Sequence, residues 1–191
     1  FTLAGRRVGS PVVNRVRMVL AVLYLSVAHL LLTGQVWPLD AEPYRWLWLS
    51  LSGIVGLVLG DASLFQAYVV IGPRRSQLVM TSVPVITTAV AWLWFGETLR
   101  PAQLIAMAVT IGGIVWVVSE RRQRDGRTRF PGDANRRAYL TGLLLAFGGA
   151  LGQAFGLLLA RRGLEGGFSP LSATLMRMLV GMVVMWSAAL V

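Results

Sequence analysis

The 191-residue sequence contains no cysteine and no lysine. Without cysteine it has no disulfide framework, no thiolate zinc site and no thiol nucleophile. Without lysine it has no phosphate-binding loop of the G-x-x-x-x-G-K-[ST] kind. Histidine occurs once, at His29, and neither H-E-x-x-H nor G-x-S-x-G is present. Charge is scarce as well. Only 14% of residues are charged, 55% are hydrophobic, and the mean hydropathy is +0.66. A soluble domain has about a quarter of its residues charged. This chain lacks the polar surface to cover itself in water and reads as membrane-embedded.

The charge that remains is mostly positive. The net charge is +10, and every basic residue is arginine. The arginines sit in short clusters between apolar runs, not along one amphipathic face. That distribution argues against nucleic acid as a partner and for orientation in a bilayer. The chain opens on Phe1 and stops inside the apolar run "MWSAALV", the pattern expected of a piece of a longer protein. The absence of a signal peptide therefore carries no weight.

A helix needs about 20 apolar residues to cross the hydrocarbon core. Six segments fit: 16–35, 46–71, 76–96, 101–119, 138–160 and 171–191. They are too long, and too little alternating, for barrel strands. With no water in lipid to bond the backbone, helices are the expected solution. "GPRRS" (72–76) and "GETLRP" (96–101) are tight connections, and Pro101 suits a first helical turn. Trp37, Tyr44, Trp46 and Trp48 suit the headgroup level. The one long polar stretch, "ERRQRDGRTRFPGDANRR" (120–137), reads as a basic linker between two membrane units, 1–119 and 138–191. Loops alternate sides, so one side collects thirteen arginines and the other four. The positive-inside rule then puts the linker in the cytoplasm.

"LAGRRVGSPVVNRVRMVLAVLYL" (3–25) parallels "LARRGLEGGFSPLSATLMRMLVGMVVMW" (159–186). Each has Leu-Ala, an Arg pair, a Gly-containing loop, Ser-Pro, and then Arg-Met in an apolar helix. Arg17 aligns with Arg177 at an offset of 160 residues. The second copy has a span before its Arg pair that the first copy lacks. Each unit then has five helices, and an odd number makes the two copies insert in opposite directions, as an inverted repeat. The fold class expected is an all-α integral membrane protein, a polytopic helical bundle built from five-helix inverted repeats. The chain would hold helices two to seven of ten.

The stretch "GDASLFQAYVVIGPRRSQLVMTSVPVITTAVAWLWFGETLRPAQLIAMAVTIGGIVWVV" (60–118) resembles the EamA-type domain of the drug/metabolite transporter superfamily. The Gly and aromatic of the third helix, the Pro in the fourth, its closing Gly-Glu and the Gly-rich fifth carry the likeness. "SP…R" opening the second and seventh helices adds to it. The resemblance implies ten helices in two repeats around a central cavity. It implies export or uptake of small metabolites, amino acids or drugs, usually without ATP; the expectation for this chain is export, across a bacterial inner membrane. The family's usual topology, with both ends cytoplasmic, would put the 120–137 linker outside. The arginine count points the other way and is followed here.

Asp61 is the only acid within an expected span. An Asp at a helix centre costs about 2.5–3.5 kcal/mol on insertion scales. The functional reading is a cavity-facing carboxylate that binds a cationic group or cycles a proton. The plain reading is a structural ion pair or a cap. Gly56, Gly60 and Ser63 form a small-residue stripe that lets another helix approach and turns Asp61 to the bundle. Gln66 and Tyr68 could line the same cavity, or simply satisfy a neighbouring helix. Pro84 is expected to kink its helix in "TSVPVITT", with Thr81, Ser82, Thr87 and Thr88 re-satisfying the backbone. Gln153 lies within the Gly148–Gly152–Gly156 stripe and is the cavity candidate from the second unit.

Glu97 at a helix C-terminus opposes the macrodipole and reads as bracing the tight turn before Pro101, or as a gate. Arg17 and Arg177 read as residues that snorkel to headgroups, with anion binding as the alternative. His29 could relay protons with Asp61 or be a packed polar residue. No constellation for intramembrane catalysis is present, so no enzyme activity and no cofactor or metal are expected. The partners expected are a small-molecule solute and the lipid bilayer, with a homodimer left open. A secondary transporter is the leading reading, and a non-transporting scaffold or subunit is the alternative.

Overall fold

The computed structural model describes residues 9–96, 98–124 and 133–188. Among them every regular element is a helix. Helix α1 spans Ser10–Thr33 and α2 Pro43–Ser52. A π-helical stretch, Gly53–Gly60, continues α2 directly into α3, Asp61–Val70. Helices α4 (Pro73–Met80) and α5 (Val83–Phe95) follow, then α6 (Pro101–Arg124), α7 (Asp133–Leu164) and α8 (Pro170–Ser187). Five segments are long and apolar enough to cross a membrane: 11–33, 43–70, 73–94, 137–164 and 170–187. The expected crossing at 101–119 lies within α6, whose described apolar part is Pro101–Trp116. The protein is an all-α polytopic membrane protein.

Local chemistry explains the ends. Pro11, Pro43, Pro73, Pro101 and Pro170 all stand in first turns, where a missing N–H costs no helical bond. Gly34 closes α1 in the left-handed region at φ 77°, a conformation that glycine adopts without penalty. Arg45 donates to the carbonyls of Gly163 and Glu165, at 3.1 and 2.7 Å, where α7 runs out of backbone partners.

The helix expected at 76–96 is interrupted by a two-residue turn close to Pro84. Pro84 stands in the first turn of α5, and the break falls at Thr81–Ser82, two to three residues before it. The pyrrolidine ring clashes with the carbonyl four residues back, so the preceding turn gives way. As expected, Thr81, Ser82 and Thr87 hydroxyls donate to the carbonyls of Leu78, Val79 and Val83, at 2.6–2.8 Å.

Burial sorts the helix faces. On α1, Asn14, Met18, Val22 and His29 are buried at helical spacing, whereas Leu23, Tyr24, Leu31 and Leu32 are exposed, as suits a lipid-facing side. The centre is the contact of the π-helical stretch with α7. A Cβ on Gly152 would lie 2.6 Å from the Gly60 Cα, and one on Gly156 2.7 Å from the Gly56 Cα. The two glycine stripes seen in the sequence therefore pack on each other, backbone to backbone. The Ser52 hydroxyl donates to the Gly156 carbonyl at 2.6 Å across this seam. Helix α8 closes on the other side, where a Cβ on Gly53 would meet the Arg177 carbonyl at 2.5 Å. Met18 of α1, Leu57 of the π-helical stretch and Met185 of α8 form a buried cluster, with Met178 packed against it.

Candidate functional site

Asp61 sits where the π-helical stretch becomes α3, and its own N–H bonds to the Gly56 carbonyl five residues back. A π-helix advances differently from an α-helix and is frequent at functional positions. The glycines on both sides make the wider turn compatible with close packing. Asp61 is 4% exposed. Its Oδ2 is ion-paired with Arg17, and its Oδ1 accepts from Gln153 Nε2 at 2.6 Å. The same Arg17 nitrogen donates to Asn14 Oδ1 at 3.0 Å, and the guanidinium lies 5.3 Å from the Phe65 ring centre. Three elements far apart in sequence thus meet on one carboxylate.

Two expectations are corrected here. Asp61 does not face an open cavity; it is closed into an ion pair. Arg17 does not snorkel outward, because Asp61 draws it inward and Phe65 lies under its planar face. Two surface hollows, one lined by Val36, Trp37 and Asp40 and the other by Val19, Met182 and Trp186, include no member of this cluster.

Arg177 of α8 also turns inward. Its Nη2 would lie 3.5 Å from a Cβ on Gly56, so glycine there leaves room for the guanidinium. Its backbone and its guanidinium both pack on the π-helical stretch that leads into Asp61. Among the described residues it makes no hydrogen bond or ion pair, and its Nε is buried without a partner. Two arginines therefore share the region with one carboxylate. In a medium of low dielectric that imbalance is far stronger than it would be in water.

The other candidates divide. Gln153 joins the cluster. Tyr68 is one layer out, its ring edge-on to Phe65 at 5.6 Å and its hydroxyl accepting from Gln77 Nε2 of α4. Met80, the last residue before the helix break, packs on Leu64, Phe65 and Tyr68. Pro84 itself is exposed. The break thus abuts the aromatic pair, not Asp61. Gln66 lies on the exposed side of α3, away from the buried face that carries Asp61, Leu64, Phe65 and Tyr68. Glu97 lies outside the described residues.

The relay between His29 and Asp61 is not made. His29 is buried, with Nε2 at 2.9 Å from the Ser172 hydroxyl and Nδ1 at 2.7 Å from the Gln35 carbonyl. Twelve residues along α1 from Arg17 is about 18 Å, too far for a proton contact. A first span starting at residue 16 leaves Asn14 in a loop, so the sequence alone does not single it out. Its spacing of three from Arg17 was the available signal.

No curated protein matches the chain. Residues 1–119, well over half of it, match the EamA-like transporter family. That family is one of membrane transporters of the drug/metabolite type, and its match spans α1 through most of α6, including Arg17, Asp61 and the helix break. On that match the chain belongs to the EamA-like transporter family.

Proposed function

We propose that the protein is a secondary transporter that exports a small organic solute without ATP, with the cluster of Asp61, Arg17, Gln153 and Arg177 at its working centre. The observation that carries this reading is the convergence of charge at the meeting of α1, α3, α7 and α8. Intramembrane ionisable groups mark solute or ion pathways far more often than they brace a fold. The helix break beside Phe65 and Tyr68 adds the discontinuity that transporters place near their solute. With no phosphate-binding loop in this chain, the gradient of an ion or of the solute supplies the energy.

One observation favours a second reading, a non-transporting subunit. Asp61 is shut into its pair with Arg17 and Gln153, as a purely structural carboxylate would be. The test is solute flux in vesicles carrying the full-length protein, wild type against Asp61→Asn, with and without an imposed proton gradient. The transporter reading expects flux in the wild type and its loss, or loss of its gradient dependence, in the variant. No flux from either orientation of the vesicles, with correctly folded protein, leaves the subunit reading standing.

A further inference from the structure

We propose that the solute carries an anionic group, a carboxylate or a phosphate, and that Arg177 binds it beside the Arg17–Asp61 pair. This deepens the transporter reading and rests on it.

The lone carboxylate suggests a cationic solute when the sequence is read by itself. The structure reverses the sign. Arg17 and Gln153 occupy both oxygens of Asp61, so little of its charge is left to attract a cation. The uncompensated charge belongs to Arg177. Its fork lies over glycine backbone, with Gly56 leaving the space where a side chain would stand. It is partly exposed, while its Nε is buried without a partner.

A second observation is independent of charge. Four side-chain polar atoms among the described residues are buried without a hydrogen-bond partner: Asn14 Nδ2, Arg15 Nε, Arg17 Nε and Arg177 Nε. All four are N–H donors, and none is an acceptor. Three of them belong to the cluster or touch it. Asn14 is 0% exposed, and its amide oxygen is already committed to Arg17, which leaves the NH2 group as the orphan. Buried donors are normally satisfied. Here the missing species is an acceptor, and a ligand with acceptor oxygens and a negative charge, paired with the terminal nitrogens of Arg177, supplies what that region lacks. Arginine matches carboxylate and phosphate with two parallel bonds, which also gives orientation.

The charge count fits a simple cycle. Asp61 keeps Arg17 in place while an anionic group of the solute pairs with Arg177, so one negative charge neutralises the site. A neutralised site stands in a low-dielectric region at far lower cost than a bare guanidinium.

The test uses full-length protein purified in a zwitterionic detergent and titrated with succinate, inorganic phosphate and choline, followed by tryptophan fluorescence and thermal stability. The expected result is saturable binding of succinate or phosphate, no response to choline, about ten- to hundredfold weaker anion binding in Arg177→Gln, and partial retention in Arg177→Lys. Wild-type titrations decide the sign of the ligand even if Arg177→Gln fails to fold. Binding of choline with no effect of either anion overturns the inference and leaves the transporter reading intact. The anion could also come from lipid. Vesicles of phosphatidylcholine, with and without phosphatidylglycerol, separate the sources, and protection by phosphatidylglycerol alone overturns the assignment to solute. Arg177-dependent anion binding with no flux of the bound anion in the same vesicles upholds the site and overturns the transporter reading.

Discussion

Arg17 and Arg177 hold corresponding places in two helices. Both helices open on Ser-Pro, and both follow the arginine with methionine. Met18 and Met178 even meet at the same buried cluster around Leu57. Yet Arg17 has a carboxylate and an amide oxygen within reach, and Arg177 has neither. The amide comes from Asn14 of α1 itself, but neither helix supplies the carboxylate. It comes from the junction of the π-helical stretch with α3, which delivers Asp61 to one side of the pair only. Two copies of a local pattern thus become a counterion-bound arginine and a receptive one, because the third element between them is not symmetric.

The comparison can be broken most severely at its paired half. Arg17→Met leaves Asp61 buried without a cation and is expected to cost about 3–5 kcal/mol. Arg177→Met removes a cation that has no partner and is expected to fall within about 0.5 kcal/mol of wild type, or to stabilise. Unfolding of the two variants in matched detergent checks this, and equal losses would show that the two arginines are equivalent after all. Next comes the seam that holds Gln153 against Asp61. Gly152→Ala puts a methyl group 2.6 Å from the Gly60 Cα, where only backbone can move aside, and is expected to cost about 1–3 kcal/mol. A crosslink between introduced cysteines flanking residues 60 and 152 would report whether the helices separate. The smallest effect is expected at Ser52→Ala, which removes one hydroxyl bond to the Gly156 carbonyl and should cost about 1 kcal/mol without changing solute selectivity.

Glycine draws a second contrast. Gly56, Gly60, Gly152 and Gly156 are pressed against one another, whereas a Cβ on Gly112 or Gly113 of α6 would meet nothing within 4 Å. In sequence the two sets look alike. A small-residue stripe states that a close approach is allowed. It does not state what approaches. On α6, Ile105, Val109 and Trp116 are largely exposed as well, so the whole apolar helix is turned outward.

The membrane class, the helical spans, the glycine stripes, the Arg-Met correspondence and the candidacy of Asp61 and Gln153 were all legible before any coordinates. Each depends on sums of local properties: hydropathy over a window, residue size at fixed spacing, and the price of a lone charge in lipid. Asn14, the π-helical turn and the break at Thr81–Ser82 were not legible. A π-turn has no strong sequence mark, since it survives only where neighbouring helices leave space for it. The sense of the site also came from tertiary structure alone. One Asp in an apolar run reads as an attractor for cations until Arg17, 44 residues away, is found on it. Charge neutralisation is pairwise and acts over a few ångströms. The composition of the chain dictated that it would live in a membrane, and only the packing of α1, α3, α7 and α8 decided which of its charges would be left to meet a ligand.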